Sequence, residues 1–148
     1  MKHFTQKWWK SGCENAPAVF EKYEAYLASV RPRLPPTLVA LEADHTLHDA
    51  EVKSIASDFE ARTVVIVLHG WNRELEYQVG YTLNFIGVST FHQVLPQEEY
   101  VESELGDLGY WECELVERGV EVRMLFVSDA EFRIVFTDFS FEHHRREA

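Results

Sequence analysis

Residues 44–52, DHTLHDAEV, set two histidines and two aspartates within six positions. Imidazole nitrogens and carboxylates are the donors that hold zinc or iron. On a helix, residues three apart share a face, so His45 and His48 could reach one ion with Asp49 beside them. His69, in VLHGW, ends an apolar run expected to lie beside HDAEV, so a site could assemble from His45, His48, Asp49 and His69. The pattern is incomplete as a metal motif: there is no HExxH and no third ligand at a telling spacing. The same residues also suit a turn. Aspartate bonds the backbone amide two residues on, and a neighbouring histidine can do likewise across to the next strand. The expectation is therefore a structural turn leading from helix to sheet, with the metal site as the alternative.

Other chemistry finds less support. Cys113 stands between Glu112 and Glu114, whose charge raises a thiol pKa and disfavours the nucleophilic thiolate. Cys13 lies in an expected loop with no base nearby. The chain has no GxSxG, no phosphate-cradling glycine loop and no GxGxxG, so neither a catalytic nucleophile nor a cofactor is expected. Two distant cysteines without a CxxC fit a reduced, cytoplasmic protein. The first residues, MKHFTQKWWKSG, lack the apolar stretch of a secretory signal, and no apolar run approaches the roughly 18 residues of a membrane helix.

The formal net charge is −11, and its distribution is uneven. Residues 98–121 hold nine Asp or Glu against Arg118 alone. Such a surface repels nucleic acid and anionic lipid and attracts a basic partner. Glu98, Glu99, Glu102, Glu104 and Asp107 are the candidate partner-binding residues, and the polar face of the sheet is the second candidate surface.

These side chains need a scaffold, and the sequence outlines one. Its 148 residues, 46 % apolar, suit a single domain with a full core. Thr5 can cap a short helix through Trp8 and Trp9. NAPAVFEKYEAYLASV, with Asn15 as N-cap and Pro17 in its first turn, is a firm helix with Val19, Phe20, Tyr23, Leu27 and Val30 on its apolar face. RPRLPP stops it. TLVALEAD, capped by Thr37, is a further short helix. From Ala50 the period becomes two. EVKSIASDF, TVVIVLHGW and LEYQVGYTLNFIG are expected strands. In the third, Leu75, Tyr77, Val79, Tyr81, Leu83 and Phe85 share the buried face, with Glu76, Gln78, Thr82 and Asn84 on the wet one. PQEEYVESELG is a short acidic helix or a loop. YWECELV, VEVRMLFV and EFRIVFTDFSF complete the sheet, with Gly119 free to take positive φ in the first of their turns. The expected fold is α+β: two N-terminal helices, then an antiparallel sheet of about six strands in one domain over residues 1–148, frayed from about 143.

The opening MKHFT with WW at 8–9, the LHDAEV at 47–52 and the closing FVSDAEFRIVFTDFSF together resemble a group of small bacterial proteins of unknown function. Those proteins begin with an MKYFT-like segment, carry LHDA or LHDS before the first strand and end in a hairpin with an Asp-Gly turn, where this chain has Asp129-Ala130. The resemblance brings no catalytic residue with it. In size and acidity the chain is also similar to immunity proteins of bacterial toxin–immunity pairs, contact-dependent inhibition systems among them. The leading expectation is a cytoplasmic immunity-type protein that neutralises a basic toxin domain, a nuclease for example, by covering its active site. The alternatives are a small metal-binding protein or enzyme using His45, His48 and Asp49, and an accessory structural domain.

Overall fold

A computed structural model describes residues 1–96 and 105–147. Three α-helices come first: α1 (Gln6–Lys10), α2 (Ala16–Val30) and α3 (Pro36–Asp44), with a 3-10 turn, Arg31–Arg33, after α2. Thr5 caps α1 by accepting from the Trp8 amide at 3.1 Å. Asn15 precedes α2 in a left-handed conformation (φ 54°) and makes no side-chain cap. Pro35 precedes α3, so Thr37 lies inside that helix, and its hydroxyl instead donates to the Phe139 carbonyl. The two helices expected beyond the first turn are therefore present: Asn15 is the N-cap residue of α2 and Pro17 lies in its first turn as expected, though without a side-chain bond, and Pro35 takes the place expected of Thr37 as the cap of α3.

Eight strands follow among the described residues: β1 (Glu51–Asp58), β2 (Thr63–Trp71), β3 (Gln78–Ile86), β4 (Thr90–Val94), β5 (Leu108–Val116), β6 (Gly119–Phe126), β7 (Glu131–Phe136) and β8 (Asp138–Arg145). The fold is α+β, with two four-stranded antiparallel sheets in place of one sheet of about six strands. Their orders are β1-β2-β3-β8 and β4-β7-β6-β5. The expected strand EFRIVFTDFSF is divided at Thr137, with β7 in one sheet and β8 in the other. The chain passes between sheets a second time beside this point, from β3 to β4. Here Gly87, Val88 and Ser89 stand opposite Phe136 and Thr137, one extra residue that bends the ribbon. The sheets meet again where Ala50 bridges Leu108.

The core fills the space these layers enclose. Ile66, Leu68, Tyr81 and Phe85 from the first sheet join Val122, Met124, Phe132 and Phe136 from the second, with Leu27, Leu38 and Leu41 from the helices. Val79, Tyr81, Leu83 and Phe85 share the buried face as expected. Leu75 does not: it lies in the β2–β3 turn at φ 61° and is 55 % exposed. The loose end expected from about residue 143 is strand as far as Arg145, with His143, His144 and Arg145 paired to Tyr81, Gly80 and Val79.

The helices also close two sheet edges. On β5, the Cys113 amide donates to the Tyr23 hydroxyl at 2.7 Å and the Leu115 amide to the Tyr26 hydroxyl at 2.9 Å. On β8, Thr37 meets the Phe139 carbonyl. Edge amides and carbonyls that would otherwise template a foreign strand are thus taken up from within the fold.

Candidate functional site

DHTLHDAEV is the passage from α3 to β1. The helix ends at Asp44, so His45 and His48 do not share a helical face. The His45 ring packs 4.5 Å from His143, against Phe141 and edge-on to Tyr81. Burial, then His143, lower its pKa. His48 turns to β5, where its Nδ1 lies 2.7 Å from the Gly109 carbonyl oxygen. Asp49 takes φ 62° and donates its amide to Leu108 at 2.8 Å, and its carboxylate is 3.4 Å from His48 Nε2. The segment is therefore a turn, and His48 makes the backbone contact to a strand expected of it; the side chain that accepts an amide two residues on is Thr46, from His48 at 3.2 Å, and Asp49 contributes its own amide instead. His48 and Asp49 are brought together and His45 is directed elsewhere. Among the described residues, no three His, Cys, Asp or Glu side chains form a group able to hold a metal ion.

Gly109 belongs to the same corner for a steric reason: a Cβ there would overlap the Trp9 indole. Trp9 and Trp8 both pack edge-on to Tyr110, at 5.2 and 5.3 Å, so the tryptophan pair anchors the helical segment to β5.

Apart from Glu117, exposed in the β5–β6 turn, the acidic stretch divides into three parts. Glu98, Glu99, Glu102 and Glu104 lie outside the described residues. Glu112, Glu114 and Glu121 are turned inward on the outer face of the second sheet, where Arg123 pairs with all three and Arg133 with Glu121 at 3.2 Å. Residues 1–4 lie over this cluster. The amides of Lys2, His3 and Phe4 donate to Glu112, Lys2 pairs with Glu114, and the Met1 amino group pairs with Glu131 at 2.6 Å. Burial alone would raise the pKa of Glu112. The three backbone N–H groups outweigh it and hold the carboxyl below its ordinary range. These charges are neutralised within the fold, so the formal charge of residues 98–121 overstates the acidity of their surface.

Asp107 is the described member of the candidate partner-binding set, and it is exposed. It lines a hollow of about 400 Å³ with Asp49, Glu51, His69, Gln78 and Arg146. Burial, then repulsion from Asp49 and Glu51, raises its pKa. The register of β1 on β2 places Glu51 opposite His69, and the bridge from Ala50 to Leu108 brings the chain after residue 104 beside Asp49. His69 thus lies near Asp49, as expected from neighbouring strands. Arg146 also faces it, and burial followed by Arg146 lowers the His69 pKa. The sequence reading missed Glu51 and Arg146 because only the strand register brings them here.

Both cysteines are free. Burial is the main cause that pushes the Cys113 thiol up to about 12; Glu42 and Glu112 add to it. The sequence reading named Glu112 and Glu114, but the larger cause is burial under α2, with the Tyr23 hydroxyl 3.6 Å from the sulfur. No helix of the described residues is long and apolar enough to cross a membrane.

A search of curated proteins and of solved structures finds no match. A family profile described as Protein of unknown function (DUF4085) matches residues 1–136, which run from the N-terminus to the end of β7 and leave out β8 and Arg146 of the hollow. The chain belongs to that family of unknown function.

Proposed function

We propose that the protein is an immunity-type binding protein that neutralises a basic toxin domain by covering its active site. The observation that carries this reading is the hollow where Asp49, Glu51 and Asp107 converge directly after the acidic stretch 98–104. Burial, then repulsion from Asp49 and Glu51, raises the pKa of Asp107, and a cation laid across the three carboxylates relieves that repulsion. A nuclease fits as the partner class, because a surface built for phosphates is positive and a net charge of −11 complements it. The protein would act in the cytoplasm, where the toxin reaches its target.

The test is capture of partners from the native host, followed by association kinetics with the basic protein recovered. Asp49→Asn, Glu51→Gln and Asp107→Asn together should slow association and flatten its dependence on salt, with circular dichroism unchanged. An unchanged on-rate and salt slope would move the interface to the wet face of the first sheet around Thr82 and Asn84. Recovery of no basic partner would sink the immunity reading.

A further inference from the structure

On the other side of His48 from the acidic hollow, the chain's first residues, α2, α3 and the start of β5 enclose a cleft of about 340 Å³. Most of its lining is of two kinds. Phe4, Phe20, Tyr23, Tyr110 and Trp111 supply aromatic surface, and Glu24 and Glu42 supply carboxyl groups, with the His48 imidazole at its border. The rings are pre-arranged: Phe4 is stacked on Tyr110 at 5.2 Å, and Phe20 lies 5.0 Å from Phe4. Phe20 belongs to the apolar side of α2, yet it is 45 % exposed.

Glu42 is partly buried and makes no hydrogen bond or ion pair with a described residue. Burial, then repulsion from Glu24, pushes its carboxyl up to about 7, against the pull of Arg73 and Arg31. Those two arginines line an adjoining hollow that shares Glu24 and Glu42, and neither lines the aromatic cleft. The cleft is thus an open, ring-lined space with two carboxyl groups, one imidazole and no resident Lys or Arg.

Few ligand chemistries suit such a space. An anion is repelled by the carboxylates. A neutral apolar group would cover Glu42 without giving it a partner, which costs free energy. A cation on an apolar stem meets both halves at once: ring faces attract it through their quadrupoles, the stem lies on apolar surface, and the carboxylates neutralise its charge. We infer that this cleft binds an organic cation, an alkylammonium or guanidinium group held against Phe20 and Tyr110 with Glu24 and Glu42 as counter-charges. The site is separate from the hollow around Asp107, and it stands whether or not that hollow binds a toxin.

The same chemistry has two sources, a basic side chain of another protein or a free small amine, and the experiment has an arm for each. The full chain is titrated by NMR with choline and with its neutral isostere 3,3-dimethylbutan-1-ol, following the Tyr110 and Trp111 resonances. It is then titrated with a capped Gly-Arg-Gly peptide and with capped triglycine. Choline or the arginine peptide should shift these resonances saturably, about tenfold more tightly than its uncharged counterpart. The tighter of the two cations identifies the source. Glu24→Gln and Phe20→Ala, both at exposed positions of α2, should each weaken binding several-fold, and Glu42→Gln should do so where it folds. Absence of saturable shifts with either cation, equal affinity for the neutral isostere, or unchanged binding in Glu24→Gln and Phe20→Ala overturns the inference.

Discussion

The hydroxyl of Tyr23 lies 2.7 Å from the backbone nitrogen of Cys113, a side chain of a helix standing where a ninth strand would otherwise pair. Both groups are buried. Tyr23→Phe keeps the ring in the core and removes the acceptor, leaving that amide unsatisfied. The expected loss is about 1–3 kcal/mol by urea denaturation. Tyr26→Phe, whose contact with Leu115 is only part-buried, should cost less. Equal and negligible effects would show that solvent satisfies the β5 edge and the helix does not.

Arg123 carries the opposite kind of risk, because its removal strands charge. It is the shared partner of Glu112, Glu114 and Glu121, and its side chain is 8 % exposed. Arg123→Met should destabilise by about 3–5 kcal/mol. The pH dependence has a definite sign. Glu112 and Glu114 have depressed pKa values in the folded state, so their contribution is present above the ordinary carboxylate pKa and lost as pH falls through the folded one. Glu112→Gln should therefore weaken the protein at pH 7 and matter progressively less below about pH 4. A penalty that stays constant down to pH 3 would contradict this.

Glu42 titrates in the reverse sense. Its folded pKa, about 7, lies above that of an unfolded glutamate, so the folded state holds the proton more tightly. Stability is then greatest below the unfolded pKa and falls as pH rises towards 7. The groups facing it are Glu24 on α2, Arg31 after α2, Arg73 in the β2–β3 turn, and Tyr23 and Cys113 beneath. Glu42→Gln should add stability at pH 8.5, of order 2 kcal/mol, and none at pH 4. Thermal melts at the two values decide it; a gain of the same size at both would assign the effect to packing.

Two leucines that the alternating pattern treats alike should behave differently. Leu83 is 1 % exposed and Leu75 is 55 % exposed. Leu83→Asp buries a carboxylate without a partner and should unfold the domain, whereas Leu75→Asp should change stability by no more than about 0.5 kcal/mol. Circular dichroism and a denaturation curve for each variant are sufficient.

Leu75 also shows where the sequence stops being informative. Period-two alternation locates strand β3 from Val79 onward, where every second residue is buried, but it runs on unbroken through the turn before it. Thr137 is a different case. The apolar residues of EFRIVFTDFSF change phase there, from Phe132, Ile134 and Phe136 to Phe139 and Phe141, so the alternation marks a break but not that its halves serve different sheets. Strand β4 was missed because TFHQV is short and its His92, Gln93 and Val94 are exposed. Gly119 was legible: at φ 135° it opens β6 directly after the turn at Glu117 and Arg118, a geometry that favours glycine. A backbone contact of His48 was legible as well, but its partners were not, because the carbonyls of Leu108 and Gly109 reach this segment only through the bridge to β5. Glu24, Glu42 and Tyr110 come together only through the docking of helices on β5, and no spacing in the sequence announces that.

The ribbon shared by the two sheets has a consequence for the order of events as the chain is made. Strand β3 pairs on one side with β2, which precedes it, and on the other with β8, which is synthesised only after β4 to β7. Until β8 emerges, a nascent chain displays the edge of β3, with Tyr81, Leu83 and Phe85 beside it. That edge invites strand exchange with another copy. Completion of the last strand is thus the step at which the protein stops being adhesive to itself, and trimming it by a few residues should be felt as aggregation before it is felt as lost stability.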